Sequence, residues 1–324
     1  MSIFRNKFTI DHMKVQYIAL LGLLPSAVFA QGPTLDNANN TPAIGSTFTV
    51  SRHNQYVEPG TSGSSQAWNF SNLTANEVVT YEILEVADLI NADDFPEATH
   101  LITDGNDTLI YKIDGSGWEL VGDDVTFNIS PLPATDVQTQ YTDGVMHLEY
   151  PTAFGNSWND PVLGTYDFDG TIITRSGTIQ GNVDGHGTLD LADAYQENIL
   201  RVYTRQQTSE SGTGISGTRR IHTHSFYAEW LKFPLIKFIA DSITITIPIG
   251  AANNTGRVEW LDTLSIGVIE SIEQGEAFGL WPTPARDVLN ITLPQRNSEK
   301  VQGILRDLTG RTVREWSLSS FGNS

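Results

Sequence analysis

Hydrophobic and polar residues alternate in short runs along most of this chain. β-Branched and aromatic residues dominate the runs, and Gly, Asn and Asp separate them. Runs with a period of two, bounded by turn residues, are typical of antiparallel β-strands. The predicted strands are VVTYEILEV (78–86), DTLIYKI (107–113), DVTFNI (124–129), VMHLEY (145–150), ENILRVYTRQ (197–206), DSITITIPI (241–249) and GRVEWLDTLSIGV (256–268).

Two other segments help to place the turns. The segment FYAEWLKFPLIKF (226–238) could begin a helix, but Pro234 interrupts it, and we predict strand, turn, strand. Asp184-Gly185 lies between TIITRSGTIQGNV and HGTLDL. This pair suits the positive φ values of a type I′ turn, so it predicts a hairpin at that point.

These strands predict an all-β protein built on an antiparallel β-sandwich over residues 31–268. The length of this region favours either one large sandwich or two fused ones. The Pro-rich stretch SPLPATD (130–136) is the best internal break, although a sheet could cross it. A linker is predicted at IESIEQGEA (269–277), where the pattern of the chain changes.

The N-terminus predicts a secretory signal peptide over residues 1–30. Arg5, Lys7 and Lys14 precede the apolar run YIALLGLLPSAVFA (17–30), which ends in small residues. The alternative is a buried N-terminal helix. The run is shorter than the roughly 20 residues of a membrane span, and no later apolar segment is longer. We therefore expect no integral membrane segment in the mature chain.

Signal-peptide cleavage is expected between Ala30 and Gln31. A start at Met13 in place of Met1 would give a tidier signal, MKVQYIALLGLL. The chain has no cysteine, which excludes a lipid anchor at the cleavage site and any disulfide. An exported chain without disulfides must be stabilised by its own core.

Acidic residues outnumber basic ones, with 38 Asp and Glu against 19 Lys and Arg and a formal net charge of −19. A surface of this sign repels nucleic acid and anionic lipid, so neither is an expected partner. It favours solubility or the binding of divalent cations, and acidic surfaces need no ligand to explain them.

Three short sequence elements follow one another after the linker. The motif positions are Trp281, Pro282, Pro284 and Ala285, then Asp287, Leu289 and Ile291, then Asp307, Gly310, Arg311 and Val313. Residues 278–324 thereby resemble the C-terminal sorting domain of the type IX (Por) secretion system of Bacteroidetes. Members of that family begin with an aromatic residue and Pro-Asn-Pro-Ala, and continue with D-x-L-x-I and D-x-x-G-R-x-V.

This resemblance implies a small β-sandwich-type domain and export through the Sec translocon and the type IX machinery. The protein would then pass the periplasm and be secreted or held at the cell surface. Thr283 stands where the family usually has Asn, and the chain stops at Ser324, where members continue with further strands. We therefore expect the sorting domain to be incomplete. The stretches GSTFTV, QAWNFSNL and DGHGTLDL resemble only uncharacterised exported proteins that carry this domain.

The hexapeptide DFDGTI (167–172) resembles the DxDGT signature of haloacid dehalogenase-type phosphatases. In those enzymes a continuous aliphatic strand of a parallel sheet precedes the motif. Here the preceding NDPVLGTY is broken by Pro161 and Gly164, and another strand pattern, IITRSGTIQ, follows. We predict an acidic turn between two antiparallel strands, with no phosphatase site.

Two further groups of residues could bind a metal ion. His222 and His224 share one face of a strand and could bind one metal ion if His186 or His147 supplied a third ligand. A solvated or hydrogen-bonded pair is the preferred interpretation. The acidic clusters lack the spacing of a calcium loop, so we predict neither a metal nor a cofactor. These clusters are Asp123-Asp124, Asp167 with Asp169, and Asp190 with Asp193.

No catalytic residues are predicted, because the chain has no Gly-x-Ser-x-Gly, no His-Glu-x-x-His and no cysteine. Some of its tryptophans could form a sugar-stacking platform, although tryptophan in a sandwich is more often core. The candidates are Trp68, Trp118, Trp158, Trp230 and Trp260. We expect a non-enzymatic role in binding, adhesion or envelope structure, with a glycan or another surface ligand as partner. The alternative is a secreted hydrolase acting on polysaccharide or protein.

Overall fold

A computed structural model of the protein describes residues 32–128, 134–191, 194–247 and 250–262, and four strands within residues 279–318. Residues 1–31, with the Ala30–Gln31 junction, and the linker 269–277 lie outside the described residues. So do most of the sorting-motif positions, namely Pro282, Pro284, Ala285, Asp287, Leu289, Asp307, Gly310 and Arg311.

Strands make up most of the described chain. They are β1 Thr34–Leu35, β2 Thr47–His53, β3 Gly63–Phe70, β4 Glu77–Leu84, β5 His100–Thr103, β6 Thr108–Asp114, β7 Gly117–Phe127, β8 Thr135–Glu149, β9 Thr152–Ala153, β10 Ser157–Phe168, β11 Thr171–Leu191, β12 Ala194–Gly212, β13 Ile215–Ala228, β14 Ile236–Ile247 and β15 Ala251–Leu261. Helix is confined to α1 Asn37–Asn40 and the 3₁₀ turns Val86–Asp88 and Ala92–Asp94 in these ranges. Among the described residues no helix combines the length and the apolar character that crossing a membrane requires.

Twelve of these strands close into a barrel, in the order β10-β8-β7-β6-β5-β4-β2-β15-β14-β13-β12-β11, with β11 pairing back to β10. The prediction of an all-β, antiparallel fold is confirmed, and the prediction of a sandwich is wrong. Both architectures need the same alternation of inward and outward residues along each strand. The alternation does not reveal whether the first and last strands of a sheet meet, and here they do.

The predicted hairpin at Asp184-Gly185 is also wrong. Strand β11 runs through this pair to Leu191, with only a shift in its register against β12 between Val183 and Gly185. The Asp184 carboxylate binds the Arg201 guanidinium on β12, with Oδ1 2.7 Å from Nε and Oδ2 2.9 Å from Nη2. An Asp-Gly pair suits a bulge as well as a turn, and the long partner strand β12 favours the bulge.

Beyond this bulge, β11 pairs in parallel with β3, which lies outside the closed ring. Gly187 lies opposite Gln66, and a Cβ at Gly187 would be 1.9 Å from the Gln66 carbonyl oxygen. Only glycine allows the two backbones to approach this closely.

Replacing Gly187 with alanine is expected to lower the free energy of unfolding by about 1 to 3 kcal/mol, because the added methyl group pushes β3 away from β11. Gly115→Ala is the matched control, since a Cβ there meets nothing within 4 Å. Urea unfolding of both variants measures the difference. A Gly187→Ala variant as stable as the control would show that β3 docks less tightly than its register indicates.

The upper end of the barrel, where β13 ends and β14 begins, is closed by the loop of residues 229–235. Phe233 of this loop stacks on Phe48 with 4.7 Å between ring centroids. Asn40 of α1 holds the loop, because its Nδ2 donates to the carbonyl oxygens of Glu229 at 3.2 Å and Leu231 at 2.8 Å. The prediction of strand, turn, strand around Pro234 is confirmed.

An apolar cluster fills the lower end of the barrel. Its buried members are Phe127, Val137, Tyr166, Ile173, Ile243, Ile245 and Ala251. Strand β8 begins at Thr135, inside the Pro-rich stretch, and pairs there with the end of β7, where Phe127 lies opposite Thr135. The sheet therefore continues across the internal break that the sequence suggested.

The C-terminal region contributes two short antiparallel pairs. Strand β16 (Gly279–Trp281) pairs with β17 (Asn290–Thr292), and β18 (Val301–Arg306) pairs with β19 (Thr312–Leu318). Three sorting-motif residues, Trp281, Ile291 and Val313, thus lie on strands. A sandwich-type sorting domain remains a prediction.

Candidate functional site: the barrel lumen

The barrel encloses a cavity of about 550 Å³. Alternate residues of each strand line it, as expected for a closed sheet. On β13 the lining residues are Arg219, Ile221, Thr223, Ser225 and Tyr227, and on β14 they are Lys237, Ile239, Asp241 and Ile243. A barrel of twelve strands is wide enough that side chains need not fill it. We call this cavity the lumen.

The lumen opens sideways, beside the first half of β15. On β15, only Val258–Leu261 pair with β2. The earlier residues of β15 therefore have no ladder partner on that side in the described chain. Lining residues there, Thr126, Asn128 and Thr255, are exposed. Asn253 Nδ2 donates to the Asn128 carbonyl oxygen at 3.3 Å across this gap. We call this opening the mouth.

Glu259 is the centre of a polar group near the upper end of the barrel, where it lies opposite Lys237 on β14. Its side chain is 2% exposed, and Oε1 accepts from Arg52 Nε at 3.0 Å and from Arg257 Nε at 2.9 Å. Lys237 Nζ lies 3.7 Å from Oε2, and the Tyr81 hydroxyl donates to the same oxygen at 3.1 Å. Burial alone would raise the pKa of the Glu259 carboxyl, but the three cations outweigh burial and lower it to about 2.

Arg175 organises a second polar group near the lower end. It is 1% exposed, and its Nε donates to Glu210 Oε1 at 2.9 Å. Its Nη1 donates to the Tyr141 hydroxyl at 2.9 Å and lies 3.5 Å from Asp123 Oδ2. Asp123 Oδ1 is buried and has no hydrogen-bond partner within the described residues. Asp123 lines the lumen, so an acceptor for a ligand hydroxyl or amine is present there.

Two more polar pairs line the lumen between these groups. Arg219 and Asp241 form an ion pair, with Nη2 2.6 Å from Oδ2. The Tyr111 hydroxyl lies 2.8 Å from His147 Nδ1. Burial lowers the pKa of His147 to about 4, and the charge of Lys237 adds to this effect. His147 is therefore neutral at pH 7.

The charges that line the lumen balance. The basic residues are Arg175, Arg219, Lys237 and Arg257, and the acidic ones are Asp104, Asp107, Asp123 and Asp241. The whole chain, by contrast, has a formal net charge of −19. The described lining residues therefore do not share this acidic excess, and a ligand there need not carry a strong positive charge.

The DFDGTI segment forms the hairpin turn between β10 and β11, as predicted. Asp167 lies opposite Ile172, and Asp169 and Gly170 adopt φ values of 51° and 81°. Asp167 Oδ1 accepts from the Gly170 N–H at 2.6 Å. The first Asp of the resemblance therefore stabilises a turn, and it is not part of the lumen.

The two histidines of β13 lie on the outer face of the barrel, since Thr223 and Ser225 on the same strand line the lumen. His222 Nδ1 is 2.7 Å from the Tyr203 hydroxyl, and the His224 ring stacks on Tyr203 at 4.5 Å. The sequence favoured a solvated or hydrogen-bonded pair on a sheet face; His222 is hydrogen-bonded, and His224 is stacked on Tyr203.

The residues weighed as further metal ligands lie elsewhere. His186 contacts Phe154, and Asp190 accepts from Asn69 Nδ2 at 3.0 Å. Asp193 lies outside the described residues. Among the described residues no three His, Asp or Glu side chains are grouped to hold a metal ion.

The tryptophans are mostly part of the core, as expected. Trp68 and Trp118 are buried, and Trp158 and Trp260 pack against the main apolar cluster. Only Trp230 of these five is largely exposed, at 52%. They do not form a common stacking surface.

No protein family, curated protein or solved structure matches this chain. The geometry of the lumen therefore carries the functional inference.

Proposed function

We propose that this protein is a non-enzymatic binding protein that holds a small molecule in the lumen of its barrel. The observation that carries the proposal is a cavity of about 550 Å³ with a mouth lined by exposed residues. Small-molecule sites are typically concave, largely apolar, and equipped with a few fixed polar groups. The lumen is concave and has apolar walls, and it carries more polar and charged groups than such sites usually have.

The walls of the lumen favour a ligand with an apolar body and several polar groups. Apolar walls come from Leu109, Leu120, Leu148, Ile179, Val202, Ile221 and Ile239. Lys237, Arg219 and Asp123 add charged groups to these walls. Since the lining charges balance, electrostatics favours a ligand that is neutral or carries a single charge.

The same proposal includes the site of action. Residues 1–30 are proposed as a cleaved signal peptide, and residues 278–324 as a type IX sorting domain. The motif from Trp281 to Val313 supports this assignment. The protein would then bind its ligand at the cell surface or in the medium, after passage through the Sec translocon and the type IX machinery.

Filling the lumen is expected to abolish ligand binding. Thr223 lines the lumen, and Thr218 on the same strand is exposed on the outer face. Thr223→Trp therefore occupies the cavity, while Thr218→Trp adds the same indole outside. We expect the wild type and Thr218→Trp to bind the fluorescent aromatic sulfonate ANS, and Thr223→Trp to lose at least about tenfold in affinity, or about 1.4 kcal/mol.

Native mass spectrometry of protein purified from a Bacteroidetes host measures whether a natural small molecule is bound. The wild type and Thr218→Trp should carry a bound small molecule that Thr223→Trp lacks. Thermal melts establish that each variant is folded. A folded Thr223→Trp variant that binds ANS as well as Thr218→Trp would refute a binding role for the lumen.

A further inference from the structure

Lys237 is an amine inside the lumen that remains accessible. It lies on the inward face of β14, and its Nζ is 5.7 Å from the centroid of the Tyr81 ring and 5.9 Å from that of Phe233. The Lys237 side chain is 23% exposed. Arg257, which lies nearer the mouth, also binds Glu259 but does not cover Lys237 completely. Because the side chain lines the cavity, a molecule in the lumen can reach this amine.

The surroundings of Lys237 lower its pKa and so raise the share of neutral amine above that of an ordinary lysine. Glu259 is shared by three cations, and its distance to Lys237, 3.7 Å, is longer than those to Arg52 and Arg257, 3.0 and 2.9 Å. The two arginines stay protonated, so Glu259 keeps its partners when Lys237 loses a proton. Burial lowers the pKa of Lys237, Glu259 opposes this, and the charges of Arg257 and Arg52 add to it.

From this geometry we infer that Lys237 captures an aldehyde in the lumen as an imine. The inference rests on the proposed function, since the aldehyde must first enter the lumen. The neutral Nζ attacks the carbonyl carbon and forms a carbinolamine. The carbinolamine then loses water, which takes the carbonyl oxygen and both amine protons, and a C=N bond remains. No oxidant, reductant or metal is required.

The rings beside Nζ indicate the class of aldehyde. Tyr81 and Phe233 flank the amine, and the Phe233 ring is buried in the loop that closes the upper end. An aldehyde on an aromatic or otherwise apolar body packs against these rings. A strongly polar aldehyde would lose its hydrogen bonds to water there, and the two rings would not replace them. The ligand class is therefore an apolar, preferably aromatic, aldehyde.

The chain offers matched controls for this reactivity. Lys112 is paired with Glu119 at 3.0 Å on the barrel surface, and Lys232 is exposed on the loop of residues 229–235. Both lie on the same folded molecule as Lys237. Neither lines the lumen.

The test uses the full chain, benzaldehyde as the probe and sodium cyanoborohydride to trap the imine, at pH 7. Peptide mapping by mass spectrometry measures benzylation at each lysine. We expect Lys237 to react several-fold faster than Lys112 and Lys232, because the lowered pKa of Lys237 leaves more of its amine neutral and the lumen holds the aldehyde beside it. Lys237→Arg should remove the fast phase and leave the slow labelling of the other two. Thr223→Trp should slow labelling at Lys237 alone.

Equal labelling of the three lysines in the wild type would overturn the imine proposal, and this comparison needs no variant to fold. ANS binding separates this result from a failure of the proposed function. If ANS binds in the lumen while Lys237 is unreactive, only the imine is wrong. If ANS also fails to bind, the binding role fails with it.

Discussion

Replacing Glu259 with glutamine is expected to lower the free energy of unfolding by about 3 to 5 kcal/mol, which is the usual cost of breaking a buried ion pair by removing one partner. Glu259 is 2% exposed and is shared by Arg52, Arg257 and Lys237. Glutamine keeps the shape but removes the charge, so three cations would face one another around a neutral amide. Urea unfolding at pH 7 measures the change.

Glu77→Gln provides the matched control. Glu77 also lies near Arg52, with Oε2 3.6 Å from Nη1, but its side chain is 47% exposed. Exposed ion pairs contribute at most about 1 kcal/mol. If Glu259→Gln cost no more than Glu77→Gln, the Glu259 group would be solvated in the folded protein, contrary to the buried network described above.

Acidification from pH 7 to pH 4.5 is expected to destabilise the protein by roughly 2 kcal/mol for each of His147 and His224. Burial lowers the pKa of both histidines to about 4, and Arg201 adds to the effect at His224. In the unfolded chain they titrate near the ordinary value of about 6.5. As the pH falls below that value the unfolded state binds protons first, so stability falls until the folded state also binds them near pH 4.

Urea unfolding at pH 7.5, 6, 5 and 4.5 follows this loss. The variants His147→Gln and His224→Gln should each lose less stability between pH 7 and 4.5 than the wild type, because a titrating group is removed. The double variant should have the smallest dependence on pH in this range. Identical pH dependences in the wild type and the double variant would show that other groups control acid unfolding.

Local features of this protein could be predicted from its sequence because they depend on neighbouring residues. The strands and their antiparallel pairing followed from alternation, and the turn at Asp169-Gly170 followed from the strand patterns on both sides. Closure of the barrel could not be predicted, because it depends on β10 pairing with both β8 and β11. The Asp184-Gly185 pair misled because its local chemistry fits both a turn and a bulge.

The lumen was missed for a related reason. Charged residues in a β-protein are usually solvated, so the sequence alone predicts Arg219, Asp241 and Arg175 on the outer surface. A signal was present, since Arg219 shares its strand face with Ile221 and Tyr227, and an apolar face that carries arginine indicates a polar interior. The partners could not be identified, because Arg175 meets Asp123 across 52 positions of the chain.

The hydrogen bonds from Asn40 to the loop of residues 229–235 also constrain the order of folding. Asn40 and Leu231 are 191 positions apart, and Leu35 pairs with Thr152 of β9, also far along the chain. Contacts of such separation form late, because the entropy of closing a long loop is lost before the contact stabilises it. The upper end is thus among the last parts to close.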